Sequence, residues 1–197
     1  MTVQGELGPR AVGRTKALLV FGSGPEAHGV VVTVNAEVAD SDQASSEGLL
    51  WAGPVRLGQR AGQHLKAVVL PVVHHMARLR GLSPRAYRLS SSNPGAASTY
   101  DLGVSITGFS ADLPIFLSML SAALQMPLQQ GLASTGHLAS TEGDIAPVRG
   151  MPEKIEASLE CGSISTLIVP DPGDDQSFRS LAPHEYQRES QHQACRG

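Results

Sequence analysis

The chain has 197 residues, enough for one domain with a sizeable core and too few for two comfortable ones. With 41% hydrophobic and 17% charged residues it has the balance of a globular protein, and 4% aromatics leave the core to Val, Leu, Ile and Ala. A formal net charge of −3, with Lys and Arg scattered, excludes the electrostatic footprint of a nucleic-acid binder.

The opening stretch, MTVQGELGPRAVGR, has no apolar h-region, so no signal peptide is expected. Residues 17–21 (ALLVF) and 30–38 (VVVTVNAEV) are rich in apolar and β-branched residues. The turn-forming run GSGPEAHG separates them, which predicts a pair of strands. Gly22-Ser23-Gly24-Pro25-Glu26-Ala27 imitates a dinucleotide fingerprint, but a strand-like run follows where that motif needs a helix. Residues 40–48 are small and polar and predict a loop, and 49–57 (LLWAGPVRL) can supply another short strand.

From Gly58 to about Leu79 the period becomes helical. Leu65, Val68, Val69, Val72, Val73 and Met76 form one apolar stripe. Pro71 falls inside it and is expected to kink or divide the helix, and Gly81 to stop it. His74 and His75 are adjacent on that helix and point to different faces, so joint metal ligation is not expected.

Residues 85–90 suit a strand, 91–99 (SSNPGAAST) a loop, and 101–106 (DLGVSI) a strand running into TGFSAD. A helix is predicted over 111–125, with Leu113, Phe116, Leu117, Leu120 and Leu124 on one side. Pro114 is tolerated in its first turn and Pro127 marks its exit. A small-residue strand over Gly131–Thr135, the turn TEGD, the short apolar piece IAPV and RGMPEK follow. A helix over 152–161, opened by Pro152, and a strand over 164–169 (ISTLIV) complete a mixed α/β (α+β) domain. Residues 1–170 are read as this domain, and 171–197 as a polar, poorly ordered tail.

Cys161 and Cys195 are too few for a disulfide framework or a CxxC zinc site, and are read as free thiols in a reducing compartment. No apolar run reaches the roughly 20 residues of a bilayer span, so no membrane partner is expected and the protein is placed in the cytoplasm. No Gly-x4-Gly-Lys-Ser/Thr occurs, so these residues carry no P-loop. Neither a cofactor nor a metal is called for.

The informative stretch combines Ser110 in GFSA, a helix running to Pro127, Ser134-Thr135-Gly136, the run Gly143 to Val148, Gly150-Met151-Pro152-Glu153-Lys154, and LIVP at 167–170. In order and spacing, over about seventy residues, it resembles the proteolytic domain of the Lon family. Ser110 and Lys154 lie 44 positions apart, a separation that suits the family's Ser-Lys dyad to within about a residue. The strands before it and the helix at 58–79 resemble the family's N-terminal half in outline.

The resemblance implies a single Lon-protease-type, ribosomal-S5-domain-2-like fold and a serine endopeptidase. Ser110 would be the nucleophile, Lys154 the general base and Thr135 a supporting residue that hydrogen-bonds the lysine. It also implies a ring-shaped homo-oligomer acting on unfolded or flexible polypeptide, with any ATP-driven unfolding coming from a separate AAA+ ATPase chain. The pattern departs from the family at Thr107, Phe109, Asp112, His137 and Pro152, and the family's His-rich strand before the serine has no counterpart.

The chemistry is consistent with that assignment. A serine hydroxyl needs a neighbouring base, and a lysine serves as one when desolvation or positive potential lowers its pKa. Lys154 in the first turn of a helix meets the positive end of the helix dipole, and amides ahead of the helix after Ser110 can meet an oxyanion. Singly, a serine before a helix is usually an N-cap and a helical lysine a solvated charge. The rival reading is a catalytically silent scaffold of the same fold, used for assembly or partner binding.

Overall fold

A computed structural model describes residues 10–22, 24–39, 48–53, 55–92 and 105–171. Most of the loops expected over 40–48 and 91–99, most of the 101–106 strand, Cys195 and the tail from 172 onward lie outside them.

The centre is a six-stranded mixed sheet built on one long hairpin. Strands β2 (Arg14–Phe21) and β3 (His28–Val38) pair antiparallel from Arg14↔Asn35 to Phe21↔His28. They follow a two-residue strand β1 (Arg10–Ala11). The turn between them closes with a single 3-10 turn at Gly24–Glu26, so the glycine-rich run serves as a hairpin connection.

The predicted 49–57 strand is two short ones, β4 (Leu49–Ala52) and β5 (Arg56–Leu57). The 85–90 expectation appears as β6 (Tyr87–Ser92), and only Ser105–Ile106 of the next strand is described, as β7. The remaining strands are β8 (Leu128–Gln129), β9 (Leu132–Ser134), β10 (His137–Leu138), β11 (Ile145–Ala146) and β12 (Thr166–Ile168). The sheet order is β12-β9-β2-β3-β6-β4, with β12, β9 and β2 parallel to one another and β4 parallel to β6.

The helical stretch predicted over 58–79 begins as α1 (Gln59–His64) and ends as α2 (Leu70–Leu79). Between them Leu65–Val69 is wound as a π-helical turn. Pro71 has no N–H to give and its ring crowds the carbonyl a turn earlier, so the wider turn just before it accommodates the proline without breaking the axis. Leu65, Val69, Val72 and Val73 are buried as the stripe predicts, whereas Met76 is 39% exposed, beyond the reach of the core.

Helix α3 (Asp112–Leu124) corrects the predicted face. The most buried apolar side chains are Ile115, Met119 and Ala122 with Leu113, while Phe116, Leu117, Leu120 and Leu124 are only half-buried. The helix packs on β2 and β3, on α2, and also on β9 and β10, so it is apolar on more than one side.

Alternation along the strands separates two layers. Ala17 and Leu19 of β2 and Val32, Val34 and Ala36 of β3 share one core with Leu65, Val69, Ile115 and Met119. The opposite face receives α4 (Met151–Glu160). There Gly29 leaves room for backbone contact: a Cβ on it would strike the Glu153 carbonyl oxygen and the Ala157 Cβ. Gly150, at φ +70°, begins the helix, and a Cβ on it would lie 2.6 Å from Val20 Cγ2. Two glycines thus let α4 settle against β2 and β3.

Candidate active site

A cavity of about 870 Å³ opens at the C-terminal end of β2, where the two layers meet. Leu19 to Gly22 form one wall, Ile106 to Ser110 a second, and Pro147, Val148, Arg149 and Lys154 a third, with Arg60 and His137 completing it. Ser110 and Lys154, predicted from positions far apart in the chain, therefore face one cavity. They reach it from different helices: Ser110 stands in the turn before α3, and Lys154 is the fourth residue of α4.

Lys154 is 1% exposed. Burial pushes its amine down from 10.5 to about 8, against a smaller upward pull from the neighbouring Glu153 carboxylate. The decisive cause is desolvation by the α4 seat. Among the described residues no hydrogen bond joins the Ser110 hydroxyl to the Lys154 amine. Catalytic hydrogen bonds are often slack until substrate binds.

The Ser110 turn is fixed through its carbonyl. Its oxygen accepts from the Gly136 amide at 3.1 Å and from the Thr135 hydroxyl at 3.2 Å. Thr135 is fully buried, and its hydroxyl serves the serine backbone in place of the lysine expected from the sequence. Two of the first α3 amides are already engaged, Asp112 N–H by Phe109 O at 3.0 Å and Leu113 N–H by Gly136 O at 3.1 Å.

A second group of side chains lies beside this turn and was not singled out from the sequence. Asp112, only 2% exposed, accepts the Leu138 amide at 3.2 Å and stands 3.1 Å from His64 Nε2 and 4.0 Å from His137 Nε2. Burial raises its carboxyl from 3.8 to about 8, partly offset by the Leu138 hydrogen bond. Burial, and then the charge of His64, lowers His137. The Phe109 ring packs on both imidazoles, 4.5 Å from His64 and 4.8 Å from His137. His74 and His75 take no part: His74 Nε2 donates to the Arg85 carbonyl at 2.7 Å, and His75 is exposed. Cys161 is a free, half-buried thiol beside Ser163 Oγ at 3.3 Å.

A mixed sheet with a serine turn before one helix and a buried lysine in the next defines a domain of the kind the sequence resembles. The chain is similar to the archaeal Lon protease of Pyrococcus abyssi, at 30% identity over 169 residues, which is 86% of this chain and 15% of that protein. It is likewise 30% identical over 169 residues to archaeal Lon protease of Thermococcus kodakarensis, covering 86% of this chain and 24% of the relative. With archaeal Lon protease of Thermoplasma acidophilum it shares 30% over 163 residues, 81% of this chain and 23% of the relative. The chain thus spans less than a quarter of the length of these curated relatives, and the Lon resemblance reaches well beyond residues 100–170. No family model matches the chain. Among the described residues no helix is long and apolar enough to cross a membrane.

Proposed function

We propose that this domain is a serine endopeptidase that cuts peptide bonds through an acyl-enzyme on Ser110. The observation that carries the reading is the burial of Lys154 in the cavity that Ser110 lines. A lysine exposed to water at neutral pH is charged and useless as a base, whereas one lowered to about 8 is partly neutral near physiological pH. Lys154 takes the hydroxyl proton as Ser110 attacks the carbonyl carbon. The resulting ammonium returns that proton to the leaving amine, and water later hydrolyses the ester. Thr135 holds the Ser110 backbone while this happens.

The substrate class we propose is unfolded or flexible polypeptide. The resembled family works as rings, and we extend that arrangement of identical chains around the site to this domain. These 197 residues contain no P-loop motif, so any motor lies outside them, and the partner we propose for that role is an AAA+ ATPase.

The test is hydrolysis of an unstructured casein-like substrate by wild type, Ser110→Ala, Lys154→Ala and the double variant. Each single variant is expected to lose most turnover, with no further loss in the double, because the two groups act as one unit. Equal cleavage by all four would instead leave the domain as a scaffold for assembly or partner binding.

A further inference from the structure

His64, Asp112 and His137 come from the end of α1, the first residue of α3 and the first residue of β10, and converge on one point. Their three potential ligand atoms all lie within 4.8 Å of one another. The peptidase chemistry above uses none of them.

We propose that these three side chains bind one divalent transition-metal ion of the zinc class, beside the Ser110 turn.

The spacing suits such an ion. Ligand atoms bonded at about 2.0–2.2 Å around a tetrahedral metal stand about 3.3–3.6 Å apart. Asp112 Oδ2 lies 3.1 Å from His64 Nε2 and 4.0 Å from His137 Nε2, so shifts of well under 1 Å bring these two edges to that value. Two imidazole nitrogens and one carboxylate oxygen select zinc, cobalt or nickel over calcium and magnesium, which prefer all-oxygen shells.

The surroundings fit as well. His64 Nε2 faces two oxygens at once, Asp112 Oδ2 at 3.1 Å and the Leu138 carbonyl at 2.9 Å, so its N–H points to where a cation would sit. The ion takes that place with His64 as the neutral Nδ1–H tautomer, the Asp112 carboxyl gives up its proton to solvent, and the Leu138 carbonyl becomes available as a fourth oxygen. Asp112 is a buried carboxyl group whose Oδ2 also accepts from the Leu138 amide, a bond that already orients it as a supporting shell does. Phe109 packs against both imidazole rings and limits their rotation. Phe109 and His137 also line the catalytic cavity, so the ion would share a wall with the substrate.

The test uses the full chain, stripped with chelator and dialysed against zinc. Bound metal is measured by mass spectrometry, affinity by calorimetry, and geometry by the visible spectrum of the cobalt(II) form. Wild type is expected to hold one more equivalent of zinc than His137→Ala or His64→Ala, or to bind it more than about 10-fold tighter. The cobalt form should show intense tetrahedral bands that both variants lose and His75→Ala keeps. His137 is half-exposed, so His137→Ala decides the matter should His64→Ala fail to fold. Zinc stoichiometry and affinity unchanged in His137→Ala would overturn the site. Ser110→Ala should bind zinc like wild type, so a failure of the peptidase reading leaves this result standing.

Discussion

Replacing Lys154 with Met should stabilise the fold while abolishing turnover. The side chain is 1% exposed, and its amine falls from 10.5 in water to about 8. At 1.36 kcal/mol per pKa unit that drop corresponds to roughly 3 kcal/mol, held against the folded state whenever both states carry the proton. Below about pH 8 both do, and the full penalty applies. Between about 8 and 10.5 only the unfolded chain keeps the proton, so wild-type stability rises with pH through that window. Above it the penalty is gone. Methionine fills similar space without a charge. Urea unfolding followed by circular dichroism, from about pH 6 to about pH 10.5, should therefore show the Met variant ahead by up to roughly 3 kcal/mol at the acidic end. The gap should close toward the alkaline end. A gap that stays constant with pH would refute the idea that a desolvated amine is its source.

Peptidase activity should rise with pH about a midpoint near 8 as Lys154 loses its proton, and initial rates against a flexible peptide check this. Asp112 should make the fold less stable as pH rises from about 4 to about 8, because its folded carboxyl keeps a proton that the unfolded one has released. Asp112→Asn should remove that slope from the melting temperature of the metal-free protein. Thr135→Val removes the hydroxyl bond to the Ser110 carbonyl and should cost about 1 kcal/mol of stability with a lower kcat, read by melting and by kinetics.

Local pattern carried the elements that form by local rules. The β2–β3 hairpin followed from two β-branched runs around a glycine-rich turn, and α4 from Pro152 at its start. The π-helical turn before Pro71 was legible only as a disturbance, since sequence gives the missing N–H and not the way a helix widens around it. The buried face of α3 was misjudged because leucine spacing marks one stripe, while packing against the sheet and against β9 and β10 buries two. For the candidate site, residue order and spacing pointed to Ser110 and Lys154. The group of His64, Asp112 and His137 stayed hidden because its members lie on three elements joined only by tertiary packing. Asp112 and His137 had registered merely as departures from a motif.

The close approach at Gly29 ties the chemistry to a residue that takes no part in it. A methyl group there would push on the backbone of the turn that carries Glu153 and Lys154, and so move the amine relative to the serine while both remained intact. A survey of single substitutions scored by cleavage alone would rank Gly29 beside the reacting residues. Scored by folding as well, the position would emerge as a spacer, whose contribution is the hydrogen it carries in place of a side chain.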